Sequence, residues 1–344
     1  MRCFWQHIAL IGVLCGFFVT QLQAQDPNFS LNYANPVTVN PAMAGLMEGD
    51  YRFNAAHRWR RATATQDYHT SLLSADMRID NRLMEGGLNL LVATDEVPGL
   101  RTNNAQLTFA YEAPLGTKVR YHHLRAGFQA GIIQRSLLTD DFFYEDQFDG
   151  LGFNLPTSEA YPNLSIISPD VSAGVLWYRT QKIVGNPEFN PFAGFSIQHL
   201  NRPQLGFYER GREKANMRYT VQAGGKIRTR TPFDINFNGV YALQNHSQQL
   251  TFNLFARYVF YENGITFGRH KASVMLGGVY RPGDAVIGYA GFEFKKTFSF
   301  GMAFDFYTAD DPFTRNTYGG LHMMASYNIG FNKYRGSALP FPFF

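Results

Sequence analysis

Leu321-His322-Met323-Met324-Ala325-Ser326-Tyr327-Asn328-Ile329-Gly330-Phe331 puts Leu, Met, Ala, Tyr, Ile and Phe on one face and His, Met, Ser, Asn and Gly on the other. That is a period of two, the pattern of a strand whose successive side chains point to opposite sides, and no helical period fits it. Phe298, Phe300, Met302, Phe304 and Phe306 repeat the alternation against Ser299, Gly301, Ala303 and Asp305. Leu250, Phe252, Leu254, Ala256, Tyr258 and Phe260 form an apolar row against Thr251, Asn253, Phe255, Arg257 and Val259, and the arginine assigns that second row to water.

Working towards the N-terminus, similar stretches lie near 50–60, 68–77, 86–94, 103–112, 122–133, 170–179, 191–199, 216–228, 233–244, 271–281 and 284–295. With the three above they give 14 candidate strands, each about the 9 to 11 residues that a tilted strand needs to cross a bilayer. Their second faces are small or polar (Gly127, Gln129, Gly131; Ser172, Gly174; Gly194, Ser196, Gln198), which suits a lumen better than the Lys- and Glu-rich surface of a sandwich. An even count returns the chain to its starting side, and closure removes the sheet edges that lipid would leave unsatisfied. The expectation is an all-β, closed antiparallel transmembrane barrel of 14 strands with an extended N-terminal lead. If residue 50 starts from the periplasm, the long connections, at 134–169, 200–215 and 309–318, all fall on the outer side.

Composition agrees. The chain has 344 residues with Lys+Arg 31 and Asp+Glu 27, aromatics at 16% and 32 glycines. Arg2, the apolar run Ile8 to Val19 and Leu22-Gln23-Ala24 have the layout of a secretory signal peptide with cleavage after Ala24. The organisation read from this is a signal peptide at 1–24, a lead at 25–49 and an outer-membrane β-barrel at 50–344. Cleavage leaves a net charge of +3, too mild to argue for nucleic acid. Both cysteines, Cys3 and Cys15, leave with the signal, so the remainder has no disulfide or thiolate metal site. No later stretch approaches 18 consecutive apolar residues, which excludes a helical membrane protein.

Little in the sequence carries reaction chemistry. His122 and His123 are adjacent in a strand and point to opposite faces, wrong for joint chelation. Asp140-Asp141-Phe142-Phe143-Tyr144-Glu145-Asp146-Gln147-Phe148-Asp149-Gly150 could hold calcium, form a partner-facing lid or be a plain external loop, and it lacks the order of an EF-hand loop. Arg58 and Arg60 alternate with Trp59, which places them in the lumen, because an arginine facing mid-bilayer hydrocarbon costs about 2 to 4 kcal/mol. No serine has a G-x-S-x-G context and no glycine-rich phosphate loop is present, so no enzyme, cofactor or metal is expected.

Three blocks carry a resemblance. The lead reads Asp26-Pro27-Asn28-Phe29-Ser30 and, past Tyr33, Asn40-Pro41-Ala42-Met43-Ala44-Gly45; taken alone, the Asn-Pro step disfavours helix and marks a turn. A second block runs from Phe192 to His199-Leu200-Asn201-Arg202-Pro203, and a third is Gly277-Gly278-Val279-Tyr280-Arg281-Pro282-Gly283-Asp284-Ala285-Val286. In order and spacing the chain resembles the PorP/SprF family of the Bacteroidota type IX secretion system, with its D-P-x-F-S and N-P-A-x-x-G opening, its H-L-x-x-P strand end and its Y-R-x-x-D-A-V hairpin. It departs from the family at Gly319-Gly320-Leu321-His322, where a Ser-His-Glu entrance is common, and at the Leu339–Phe344 end, where a Cys-Pro pair is common.

The resemblance implies a non-enzymatic outer-membrane component that assists delivery or surface attachment of secreted or gliding-related proteins. Its implied partners are other secretion components, secreted or surface-adhesin cargo, and outer-membrane lipid. The alternative is a passive porin or hydrophobic-solute channel, which composition alone would favour, since lumen-lining polar residues and external loops suit both. Phe29 and Tyr33, with the rigid Asn35-Pro36 and Asn40-Pro41 steps, are read as docking the lead at the periplasmic mouth or inside the lumen, and the loop 134–169 as filling further lumen.

Overall fold

The structure, a computed structural model, describes residues 35–61, 67–80, 84–115, 122–138, 145–150, 152, 156, 165–180, 188–207, 213–229, 231–261, 270–308 and 319–330. Fourteen strands close into one antiparallel barrel: β1 Tyr51–Arg61, β2 Asp67–Asp80, β3 Glu85–Val97, β4 Leu100–Leu115, β5 His122–Leu137, β6 Ser165–Arg179, β7 Glu188–Gln198, β8 Arg218–Arg228, β9 Phe233–Gln244, β10 Ser247–Tyr261, β11 His270–Arg281, β12 Ala285–Phe294, β13 Phe298–Tyr307 and β14 Gly320–Ile329. Each pairs with the next, and β1 meets β14 with Tyr51 opposite Ile329 and Arg60 opposite Gly320. The expected strand count and closure are therefore what the chain forms.

Alternation along the strands inverts the solvent logic of a soluble protein. Leu73, Leu107, Leu254, Leu276 and Phe306 are exposed on the outside, while Arg52, Asn89, Thr108, Asn236 and Asp305 are buried on the inside. Among the described residues no helix is long and apolar enough to cross a membrane, so crossing falls to the strands.

Several strands run further than the apolar alternation indicated. The β3–β4 connection, read as 95–102, shrinks to Pro98-Gly99, where Gly99 takes φ +77° and lets the chain reverse in two residues. The ladder continues above the apolar band through Asp95, Glu96, Arg101 and Thr102, with Arg101 and Glu96 2.9 Å apart. Backbone pairing does not need a lipid-facing side chain, so the apolar pattern stops before the strand does.

The end where β1 starts and β14 stops is termed proximal, the other distal. The long connections β5–β6, β7–β8 and β13–β14 are all distal. Two different fillings occupy the lumen. On the β10–β14 side, Phe255, Met275, Val279, Ile287, Tyr289 and Met324 form an apolar cluster, with Phe255 and Tyr289 edge to face at 5.4 Å. The Phe255–Arg257–Val259 row thus faces the lumen and is buried there, with Arg257 bonded to Glu293. On the β2–β8 side the lumen holds residues 35–49 of the lead. Of the loop 134–169, the strands take both ends, and Glu145, Asp146 and Phe148 are exposed rather than packed in the lumen; Asp140–Tyr144 lie outside the described residues.

Candidate functional site

The described part of the lead, residues 35–49, climbs the lumen from the proximal end. The Asp50 backbone N–H donates to Ile329 O, and Arg78, near the end of β2, donates to Met47 O at 3.0 Å. Gly45 N–H donates to Asp76 Oδ1 at 3.2 Å, and Arg125 donates to Ala44 O. Higher up, Ser196 Oγ donates to Val39 O at 2.7 Å and Gln198, the last residue of β7, donates to Thr38 O at 2.6 Å.

Each Asn-Pro step opens a single 3-10 turn, Pro36–Thr38 and Pro41–Met43. Proline forces the preceding residue to stay extended (Asn35 φ −139°, Asn40 φ −149°) and then supplies the turn's φ at a position needing no N–H donor. Asn40 is wholly buried. Its Oδ1 accepts from Ala42 N at 2.9 Å, capping the second turn, while its Nδ2 donates to Val175 O at 3.0 Å and Phe195 O at 3.4 Å. Val175 and Phe195 face each other across β6 and β7, so one amide is bound to both strands.

Glycines on the inner face make room for this backbone. A Cβ on Gly127 would stand 2.2 Å from Ala42 N, one on Gly174 2.1 Å from Asn40 Oδ1 and one on Gly87 2.4 Å from Ala44 O. Gly45 itself has φ +66° and lies against Gly87, so a side chain is excluded there on both conformational and steric grounds. The N-P-A-x-x-G spacing thereby becomes geometry: Asn for the cap and the strand carbonyls, Pro for the turn, Ala for the close approach, Gly for the left-handed step.

Charges are matched beneath the lead. Arg52 and Asp76, both buried, are 2.9 Å apart. Glu112 receives Arg125 at 3.2 Å, His123 at 2.7 Å and the Tyr178 hydroxyl at 2.9 Å. At the proximal mouth, burial would push the Glu48 carboxyl up, but Lys296, 2.7 Å away, together with Lys226, outweighs it and holds the pKa down at about 2.

The motif residues divide into groups. Asp26, Pro27, Phe29, Ser30 and Tyr33 lie outside the described residues. Asn40, Pro41, Ala42 and Gly45 form the seat just described. His199, Leu200 and Pro203 close the distal part of the same wall. Pairing between β6 and β7 stops at Ala173–Ile197; above it Leu200 N donates to Val171 O, His199 Nδ1 is 2.8 Å from Asp170, Asn201 bonds Pro169 O and Val171 N, and Pro203 O accepts from Ala215 N. That block satisfies the β6 edge that β7 leaves open. Tyr280, Arg281 and Asp284 are elsewhere, on the β11–β12 hairpin: Tyr280 faces outwards, half exposed, and Arg281 bridges Asp284 at 3.0 Å and Asp305 at 3.6 Å. Asp305 also takes Arg58 and His322, each at 2.9 Å, which puts Arg58 in the lumen as the alternation required.

Sequence reasoning missed Asp76, Arg78 and Arg125 as the lead's partners among the wall's charged residues. The inner-face glycines and Ser196 and Gln198 carried a signal, their small or polar character at lumen parity. Above the lead, a cavity of about 280 Å³ occupies the distal lumen between β2–β6 and β8–β10, floored by Thr38 and Val39. Among the described residues no group of three or more His, Cys, Asp and Glu side chains could hold a metal ion.

Solved structures that the chain resembles include the Pseudomonas putida toluene transporter TodX (9% identity, 90% of this chain and 99% of that one, TM-score 0.45) and the CymD monoaromatic hydrocarbon channel (10%, 88% and 94%, 0.46). The β domain of the Bordetella autotransporter BrkA is another (11%, 82% and 100%, 0.38). No curated protein matches. The family model described as "Type IX secretion system membrane protein PorP/SprF" matches residues 21–327, which takes in the lead, the β6–β7 wall and the β11–β12 hairpin, and the chain belongs to that family, a non-catalytic outer-membrane component of type IX secretion.

Proposed function

We propose that this barrel serves type IX secretion as a plugged docking component, assisting delivery or surface attachment of secreted or gliding-related proteins. The observation that carries the reading is the lead in the lumen, hydrogen-bonded to the walls from Met47 up to Thr38. A passive porin or hydrophobic-solute channel needs a continuous pore, and the lead stands where that pore would run.

The usual asymmetry of long outer loops and short inner turns turns the distal end outwards and the proximal end to the periplasm. Cargo or another secretion component then meets the distal loops, and the periplasmic assembly meets the proximal turns. Of the cationic groups there, Lys296 is taken by Glu48, while Arg228, bridged to Asp234, and Lys295 bring positive charge to the turns 229–232 and 295–297 that face that assembly. Deletion of the gene, followed by measurement of surface delivery of C-terminally signalled cargo, tests the reading. Loss of delivery is expected; unchanged delivery with altered small-solute uptake reverses it in favour of the channel.

A further inference from the structure

We propose that the distal cavity binds a single-chain anionic amphiphile, an aliphatic chain ended by a carboxylate or phosphate, with the anionic head on Arg135 and the chain directed down towards Val39. Layering is the first argument. On the β2–β5 wall Leu72, Ala93, Asn104 and Ile133 pair in turn across the strands, and two residues nearer the distal end on each strand stand Thr70, Asp95, Thr102 and Arg135. Across the β8–β10 wall Ala242 pairs with Thr220 and Val240 with Thr251, while Arg218 stands two residues distal of Thr220. Both cations therefore lie in the distal layer of the lining, and aliphatic carbon lies in the layer beneath.

The state of the polar groups is the second. Gln129 donates to Thr108 at 2.9 Å, Gln106 donates to Asp170 at 3.1 Å, and His199 lies 2.8 Å from the same carboxylate. These groups satisfy one another and leave mainly carbon surface to a ligand. Arg135 differs: among the described residues it has no ion pair, and its Nε is buried without a hydrogen-bond partner. Asn104 Oδ1 and the hydroxyl of Thr220, itself 2% exposed, are buried without partners on the same cavity. A ligand that pairs with such groups recovers the free energy their isolation costs. Asp95, in the row of Arg135 but two strands away, already holds the Thr70 hydroxyl at 2.7 Å, and its charge confines an anionic head to the Arg135 side. The planar guanidinium fork matches a carboxylate or a phosphate.

Size and shape are the third. A volume of about 280 Å³ sits at the lower end of the range of about 300 to 1,000 Å³ for small-molecule sites, which suits one chain and not the paired chains of a bilayer lipid. Among the described residues the lining has no Phe, Tyr or Trp, so it offers no ring to stack on an aromatic ligand, whereas Leu72, Leu91, Ile133 and Val240 suit an alkyl chain.

Full-length protein in nanodiscs, with empty nanodiscs as the blank, is titrated with decanoate, decyl phosphate and decan-1-ol, which share one chain and differ in the head. Saturable binding of both anions is expected, with decan-1-ol weaker by about tenfold or more. Arg135→Gln should weaken both anions by about tenfold and leave decan-1-ol unchanged, while Arg135→Lys should keep part of the preference for anions. Ile133→Asn should weaken all three probes. Heat-modified gel mobility checks that each variant is a folded barrel. Native mass spectrometry of protein taken from the outer membrane separates the sources of the ligand: a bound fatty acid assigns a free acid and a bound single-chain phospholipid assigns a lipid head, and either should be missing from Arg135→Gln. Equal binding of decan-1-ol and decanoate, anion binding by Arg135→Gln equal to that of the wild-type protein, or no saturable binding above empty nanodiscs would overturn the proposal. None of these readouts depends on secretion, so this inference and the secretion reading fail separately.

Discussion

Asn40 Nδ2 lies 3.0 Å from the carbonyl oxygen of Val175, 135 residues away, and the same amide reaches Phe195 O on the neighbouring strand. A single side chain in the lead thus spans the β6–β7 seam, the shortest of the barrel's ladders with six residue pairs. Asn40→Ala removes the cap and both donors, which should loosen the lead by about 1 to 3 kcal/mol. Asn40→Asp is isosteric but sets a carboxylate against two carbonyl oxygens, so it should loosen the lead more than alanine does. Hydrogen exchange of the Ala42 and Ala44 amides measures both; equal protection in the Asn40→Asp variant and the wild-type protein would show that the amide donors carry nothing.

Steric exclusion tests the seat from the wall side. Gly127→Ala and Gly174→Ala each place a methyl group within about van der Waals overlap of the lead backbone or of Asn40, at 2.2 and 2.1 Å. Overpacking of this kind costs about 1 to 3 kcal/mol when neighbours can shift and more when they are backbone. Both variants should expose the lead to protease while the barrel keeps its heat-modified mobility. Gly239→Ala is the control, because its nearest contacts, on the Phe252 ring, stand at an ordinary 3.7 Å and its side faces outwards.

The barrel was legible because lipid and lumen impose opposite solvents on alternate residues of every strand, so Phe298 to Phe306 and Leu250 to Phe260 announce their faces without any partner in view. Where one solvent fades, so does the signal: Asp95 to Thr102 pair as backbone but face neither lipid nor a packed lumen, and the turn is shorter than the apolar pattern implies. Phe255, Met275 and Tyr289 are apolar on the inner face, and that inversion is visible only once β10 to β14 curve round to bring them together. The lead's seat was legible by half. Its Asn-Pro steps and the inner glycines were visible, but the matches Asn40–Val175, Arg125–Ala44 and Gly45–Asp76 join distant positions with no period, and nothing local in the sequence assigns one to the other.

Glu48 gives the lead a pH dependence of known sign. Its folded pKa, about 2, lies below the usual carboxylate value of about 4.3, so its ion pair with Lys296 stabilises the docked lead fully above the usual value and is lost as pH falls towards 2. Protease sensitivity of the lead should therefore be flat from neutral pH down to about 5 and rise below about 4. In Glu48→Gln the rise attributable to this pair should vanish and the neutral-pH lead should be looser. A rise that persists unchanged in the Gln variant would place the acid-labile contact elsewhere.

Arg125 should matter more to the lead than its distance from the motif suggests. It is buried, pairs with Glu112 and donates to Ala44 O, so Arg125→Ala leaves a buried carboxylate with only His123 and Tyr178 and strips a carbonyl of its donor. Removing one partner of a buried pair costs about 3 to 5 kcal/mol. Arg125→Ala with Glu112→Gln should recover part of that loss, since the orphaned charge goes too. Denaturant midpoints for the two single variants and the double variant measure the coupling, and strict additivity would mean that the pair does not act as a unit.

On the proposed reading the lead acts as a plug and not as a strut, and that distinction can be measured. Every strand already has both its ladder partners without help from residues 35–49, since β1 to β14 close on one another through backbone pairs alone. Removing residues 25–47 after the signal should therefore leave a folded, heat-modifiable barrel. It would also uncover Arg52, Asp76, Glu112 and Arg125, charged groups now matched beneath the lead, and water entering to solvate them offsets the lost contacts at small cost to the barrel. Planar-bilayer recordings should then show a steady ion current in the truncated protein where the full-length protein shows none. A shorter truncation that keeps Asn40 to Met47 should stay closed, because the cap at Ala42, the Gly45–Asp76 bond and the Arg125–Ala44 bond all survive in it. Equal conductance in the full-length and truncated proteins would show that the lumen is not governed by the lead.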